Sequence, residues 1–456
     1  MELQRSIYSK LLEWKSRSSG STALLIEGAR RIGKSTIAKK FGQENYKSFA
    51  LVDFALASKT IKDNFSENLL DLDRFFQTIS IEYGVKLYER ESLIIFDEVQ
   101  MFPQARQAIK YLVADGRYDY LETGSLISIH ENVKNIVIPS EEEKLKMHPL
   151  TFPEFLLAAQ EEQLLDYIRE CYKQKQPLID RFHKRATHLV REYMLVGGMP
   201  QSVVAYFEGN LDFEAADRAK RQILGLYRED INKIAQQYRS KVSALFEYIP
   251  GYLSTHDKKI VLSKIDDNGE FNRYDDPLFW LEDSMMCNLC FKSTNPNTGL
   301  ALTLDDSSVK CYMADTGLLV SLAFSENEIS SQELYRKILA GNLSLNEGML
   351  HENLIAQATV ASGRKLFFYT HYSEEKHRND IEVDFLLSSG GVTNFKIDPV
   401  EVKSSTNYTT SSYDSFKKRF NKRVGQSYIV HPKAFAQTEA GLRIPSYMWF
   451  SVLESQ

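Results

Sequence analysis

Eight residues near the start of the chain, Gly28-Ala29-Arg30-Arg31-Ile32-Gly33-Lys34-Ser35, have types and spacing suited to holding a polyphosphate. They follow a short apolar run and precede a helical pattern, the context in which GxxxxGK[ST] acts. Glycines let backbone N–H groups approach phosphate oxygens, the helix start adds a favourable dipole, and Lys34 neutralises the outer phosphates. Ser35 offers a hydroxyl to Mg2+, so residues 28 to 36, ending on Thr36, form the expected nucleotide segment, with ATP and Mg2+ as expected cofactors. Further along, Leu93-Ile94-Ile95-Phe96-Asp97-Glu98 is an apolar strand that ends in two acids. Asp97 is the expected holder of Mg2+, and Glu98 the group that polarises an attacking water. A chance glycine turn or an acidic helix cap explains either motif alone but not both together.

These residues need a parallel sheet to bring them to one edge. Strands are expected at 24–26, 49–54, 93–96 and 118–122, with a helix at 35–41 carrying Ile37, Ala38 and Phe41 on one face. Strand, loop, helix, strand, acidic strand is the order of an α/β nucleotide-binding domain, assigned to residues 1–205. A helical connector or lid follows over 206–245, with Phe213, Ile223, Leu226, Tyr227, Ile231 and Ile234 at helical spacing. A small winged-helix-like module is expected over 246–335, through Leu262 and Tyr274, and a further α/β domain over 336–456. In that last part a helix is expected at 347–361, strands at 366–369, 382–387 and 399–403, a solvent loop at 373–380, and a charged helix at 413–423.

A chain of 456 residues is long enough for several such units. With 43% hydrophobic and 26% charged residues the composition is globular, and a net charge of -5 argues against a surface that clings to nucleic acid throughout. The first fifteen residues lack the apolar core of a signal peptide, and no run of about eighteen apolar residues could span a bilayer. A soluble, cytoplasmic protein without membrane partners is the expectation. The four cysteines, Cys171, Cys287, Cys290 and Cys311, suit a reducing compartment. Cys287 and Cys290 form a CxxC without a second pair to complete a zinc set, so buried thiols are the better reading.

Read in order, GARRIGKS, LIIFDEVQ, the Thr123-Gly124-Ser125 after the next strand, HPLTFPEFL from His148 and Gly197-Gly198-Met199-Pro200 resemble the AAA+ ATPases of prokaryotes that are joined to a DUF4143 domain. The resemblance continues in Tyr312-Met313-Ala314-Asp315-Thr316-Gly317, in Glu352-Asn353, and in EVDFLL with PVEVKSS, so it covers nearly the whole chain. It implies an AAA+-like P-loop domain, a polar sensor at Thr123 or Ser125, a tendency to assemble into oligomers, and a C-terminal fold like the PD-(D/E)xK nucleases. The family's glycine-arginine step is not evident around 138–143, and no sensor is carried over there.

Glu352 falls on the expected helix, Asp384 on a strand, and Glu401 and Lys403 at i and i+2 on the next strand, sharing a face. In nucleases of that kind carboxylates such as Glu352, Asp384 and Glu401 hold Mg2+, and a lysine such as Lys403 helps activate water. Glu382 shares the face of Asp384. The same pattern also fits a half-exposed strand with a salt bridge, or a nuclease fold that has lost its activity. Lys417, Lys418 and Arg419 on the last helix form a basic face able to follow a phosphate backbone, or merely a solvated one. Two functions follow: an ATP-hydrolysing protein that acts on DNA through the nuclease-like domain, or an ATP-dependent switch or scaffold for a protein partner in which that domain is inactive. A small-molecule kinase fits the loop but not the long helical and C-terminal parts.

Overall fold

The computed structural model describes residues 1–125, 140–234, 236–255, 258–260, 275–296, 299–326, 332–340, 346–375, 377–389 and 396–455. Leu262 and Tyr274 of the expected winged-helix-like part lie outside these residues, as does the start of the 138–143 segment. The chain divides into two compact units, one of Arg5–His148 with Asp283–Met285, the other of Met1–Gln4, Pro149–Glu282 and Met286–Gln456.

The first unit holds five parallel strands: β1 (Ala23–Glu27), β2 (Ser48–Asp53), β3 (Ser92–Asp97), β4 (Asp119–Gly124) and β5 (Glu142–Lys146), in the order β2-β3-β4-β1-β5. Every residue of β1, β3 and β4 is buried, as expected of strands covered by helices on both faces. The helices are α1 (Ile7–Ser18), α2 (Lys34–Asn45), α3 (Lys59–Glu67), α4 (Leu72–Tyr83) and α5 (Pro103–Asp115). Because all strands are parallel, β1, β3 and β4 end on the same edge of the sheet. β4 lies between the other two, so Thr123 falls between the glycine loop and Asp97. The edge strand β5, Glu-Glu-Lys-Leu-Lys, has little apolar character to announce it. It is held instead by Arg106 of α5, whose guanidinium meets Glu142 with two bonds of 2.6 Å in a buried pair. This unit closes at His148, and the helices between 152 and 196 fall in the other unit.

The second unit begins with a run of helices: α6 (Phe152–Ala158), α7 (Glu162–Lys173), α8 (Asp180–Val196), α9 (Pro200–Glu208), α10 (Phe213–Asn232), α11 (Gln236–Ser254) and α12 (Asp275–Asp283, whose last residue falls in the first unit). It continues with β6 (Cys287–Ser293), β7 (Leu304–Met313), α13 (Thr316–Ala323), α14 (Gln332–Leu339), α15 (Glu347–Ala361), β8 (Leu366–Ser373), β9 (Arg378–Ser388), β10 (Ile397–Val402), α16 (Ser411–Arg419), β11 (Tyr428–His431), β12 (Ala436–Thr438), β13 (Gly441–Pro445) and α17 (Trp449–Ser455). The eight strands make one mixed sheet in the order β12-β13-β11-β10-β9-β8-β6-β7. Thus β6 and β7, from the stretch expected to be winged-helix-like, are members of the C-terminal sheet, with β6 parallel to β8. Of the expected solvent loop at 373–380, Ser373 and Arg378 to Asp380 are strand, and Glu374, Glu375 and His377 are turn between them. β8 and β9 extend as a polar hairpin whose ladder pairs Tyr372 with Asn379 and Ser373 with Arg378.

Helix α15 is buried around its whole circumference, from Met349 through Gln357. That explains why Glu352 is almost wholly hidden and must find partners inside the protein. Helix α16 lays Tyr413 and Phe416 against the sheet, and the Tyr413 hydroxyl donates to the carbonyls of Pro399 at 3.1 Å and Tyr428 at 3.2 Å.

Candidate nucleotide site and carboxylate cluster

The glycine loop is shaped by close approaches that leave no room for side chains. A Cβ on Gly28 would lie 2.5 Å from the Met147 carbonyl oxygen, and Gly33 caps α2 at φ 93°, a left-handed angle natural to glycine. Arg31 (φ 70°) and Glu98 (φ 55°) adopt left-handed angles without being glycine, at a cost of about 1–2 kcal/mol each. Arg5 braces the loop from behind, donating to the carbonyls of Ile32 at 2.9 Å and His148 at 2.5 Å.

Lys34 is buried, and its ammonium donates to the loop carbonyls of Gly28 (3.0 Å) and Ala29 (2.9 Å). Burial lowers its pKa to about 8, against the raising effect of Glu98 and Asp97. Asp97 is the hub of the site. Its Oδ1 accepts from the Ser35 hydroxyl at 2.8 Å and from the Thr123 hydroxyl, and Thr123 Oγ1 accepts from the Glu98 backbone N–H at 3.3 Å. Gln100 donates to the Glu98 carboxylate. The strand ends thus bring Lys34, Ser35, Asp97, Glu98 and Thr123 together, as the sequence pattern anticipates. Thr36 is exposed, the exposed Arg31 and half-buried Arg30 flank the loop, and Ala29 and Ile32 are buried beneath it. The hydroxyl of Ser35 and the carboxylate of Asp97 are hard oxygen donors of the kind Mg2+ prefers, so the residues present fit that ion. Arg5 and Gln100 are partners that the motifs did not reveal.

In the second unit Glu352, Asp384, Glu401 and Lys403 also come together. One step beyond the pairing of Val400 with Phe385, Glu401 stands opposite Asp384, an arrangement that like charges disfavour. Each acid is met by a base. Lys403 donates to Glu401 at 2.6 Å, Lys258 donates to Glu352, which also accepts from the Tyr312 hydroxyl at 3.2 Å, and the Lys310 ammonium lies 4.0 Å from Asp384 and 3.5 Å from Glu382. The remaining Asp384 oxygen accepts from the Val402 N–H at 2.8 Å. Burial, with Asp384 beside it, pushes the Glu401 carboxyl up to about 8 despite Lys403. Among the described residues no three His, Cys, Asp or Glu side chains are arranged to hold a metal ion. The expected ligand set Glu352, Asp384 and Glu401 is adjacent, and lysines meet its carboxylates. Lys258 and Lys310 were not legible as members. The signal for Lys310 was a single lysine inside the buried run Val309 to Met313.

Cys287 and Cys290 lie buried on β6 and Cys311 on β7. On α16, Lys417 is partly covered and donates to the Ala440 carbonyl at 2.8 Å, while Lys418 and Arg419 are exposed. Among the described residues no helix is long and apolar enough to cross a membrane.

Three family profiles match the sequence: an AAA domain over residues 20–156, a domain of unknown function, DUF8612, over 187–329, and another, DUF4143, over 347–447. No curated protein matches it. Among solved structures, the crystal structure of a signal transduction ATPase with numerous domains (STAND) protein with a tetratricopeptide repeat sensor, from Pyrococcus horikoshii, aligns over 80% of this chain at 12% identity, with a TM-score of 0.28. This chain spans 50% of that one, and the likeness is too loose to speak to fold or function.

Proposed function

We propose that this chain, which joins an AAA domain to a DUF4143 domain, binds Mg-ATP on residues 28–36 and hydrolyses it. The observation that carries this reading is the convergence on Asp97 Oδ1 of the Ser35 hydroxyl from the glycine loop and the Thr123 hydroxyl from the neighbouring strand. Lys34 exchanges the carbonyls of Gly28 and Ala29 for phosphate oxygens, and α2 presents its N-terminus to them. Mg2+, held through Ser35 and Asp97, neutralises phosphate charge when bound. Glu98 polarises the attacking water once Gln100 releases its carboxylate, and Thr123 fixes the Glu98 backbone while anchoring Asp97. The test is phosphate release from ATP by the full chain, compared with Lys34→Ala and Glu98→Gln. Hydrolysis unchanged in both variants would overturn the reading.

For the output of hydrolysis, an ATP-dependent switch for a protein partner is favoured over DNA cleavage, because the acids a nuclease would need are engaged by lysines. A DNA-acting protein remains the second reading, favoured by the exposed Lys418, Arg419 and Lys422. It requires a DNA affinity that falls steeply with salt and weakens when those three are replaced. An affinity unaffected by either removes it.

A further inference from the structure

The C-terminal cluster contains a cation that its sequence pattern does not advertise. Lys310 projects from β7 with a side chain of 0% exposure, and its ammonium faces Glu382 Oε1 at 3.5 Å and Asp384 Oδ1 at 4.0 Å. It makes no hydrogen bond there, and the ring of Phe368 lies 5.1 Å away. A fully buried ammonium is costly to desolvate and is normally shed as a neutral amine unless carboxylates surround it. Here they do: Glu382 and Asp384 face it, and Glu352 lies within electrostatic reach.

We propose that Lys310 is the resident cation of this cluster, standing among Glu382, Asp384 and Glu352 where a divalent metal would otherwise have to neutralise them, so that the C-terminal domain is assembled without metal and has no metal-dependent hydrolytic centre. The charges support this in pairs: Lys258 with Glu352, Lys403 with Glu401, and Lys310 with Asp384 and Glu382. To ligate two of these carboxylates a divalent ion would have to displace at least one ammonium group and sit beside the others, against their charge. The inference goes beyond the ATP reading and does not depend on it.

The experiment titrates Mn2+ alone into the nucleotide-free full chain and follows bound Mn2+ by electron paramagnetic resonance. Wild type and Asp384→Asn are expected to take up Mn2+ identically, any weak uptake arising at Ser35 and Asp97. Lys310→Met keeps the length of the side chain and removes its charge. It is expected to gain a Mn2+ site at least tenfold tighter than anything in wild type, and adding Asp384→Asn should abolish that site. Wild-type uptake that weakens tenfold or more in Asp384→Asn would overturn the proposal, as would a folded Lys310→Met chain that gains no site. If Lys310→Met does not fold, the comparison of wild type with Asp384→Asn decides alone, with Glu352→Gln as a second probe.

Discussion

Lys34 is asked to be charged where charge is costly. Burial brings its pKa from an ordinary 10.5 to about 8, with Glu98 and Asp97 limiting the fall. Below about pH 8 the group is an ammonium ready for phosphate, and above it the charge is progressively lost. ATP affinity should therefore decline as pH rises through about 8, with proton uptake accompanying binding on the alkaline side. Calorimetric titration of the Mg-ATP complex from pH 6.5 to 9.5 checks this, and Lys34→Arg, always charged, should show no inflection. For stability the sign runs the other way. Between about 8 and 10.5 the unfolded chain holds more protons at this residue than the folded one, so its contribution to stability rises with pH across that window. At Glu98 the expectation is a separation of binding from chemistry. Glu98→Gln should leave the ATP dissociation constant within a few-fold while hydrolysis drops by roughly 10^2–10^4, the range of a general base. Equal losses in both would assign Glu98 to binding instead.

At the scale of elements, the motifs that carried no chemistry have a mechanical purpose. The turn Gly197-Gly198, the segment at Leu150, the start of α13 and helix α15 are tied by hydrogen bonds from backbone and side chains. The Gly198 N–H donates to Asp315 at 2.5 Å, and the Leu150 N–H donates to the Gly198 carbonyl at 2.7 Å. Asp315 also caps α13 through the Leu318 N–H at 2.8 Å. Gln357 of α15 receives both the N–H and the hydroxyl of Thr316 at 2.9 Å and donates to the Tyr193 hydroxyl. A Cβ on Gly198 would lie 2.1 Å from the Leu150 carbonyl oxygen, and one on Gly317 would lie 2.5 Å from the Gly197 Cα. Asp315→Ala strands two buried N–H groups and should destabilise this unit by about 1–3 kcal/mol for each. Urea unfolding measures this, and a loss below about 1 kcal/mol would deny the knot its importance. What was legible in the sequence follows the same division between local and distant causes. The glycine loop, the acidic strand, strands β1 to β4 and β8 to β10, and helices α2, α10, α15 and α16 are local patterns, so they were readable. Strand β5 was not, because the buried Arg106–Glu142 pair holds it rather than an apolar face. Nor was the place of β6 and β7 in the C-terminal sheet, which depends on pairing β6 with the distant β8. The four residues Glu352, Asp384, Glu401 and Lys403 were found by type and face. Their lysine partners were missed because Lys310 enters from β7 and Lys258 from a segment with no strand or helix to predict its position.

For the whole molecule, the switch reading requires that nucleotide held by one compact unit change the free energy of the other. A chain of two units has no single unfolding free energy, and this permits a direct test. Mg-ATP at about one hundred times its dissociation constant stabilises the binding unit by about 2.7 kcal/mol. For a unit of this size that raises its melting transition by roughly 5–10 °C. If the units are energetically independent, calorimetry would show only that transition move, while the one belonging to the mixed sheet stays in place. A switch makes the second transition respond as well, and its response must vanish in Lys34→Ala and survive in Lys418→Ala. The size of the second shift measures the coupling. Couplings of about 1–3 kcal/mol are typical, which for the larger unit corresponds to roughly 1.5–5 °C. A second transition indifferent to ATP, with the first displaced as expected, would leave an ATPase whose cycle is not transmitted through stability to its C-terminal domain and would remove the switch.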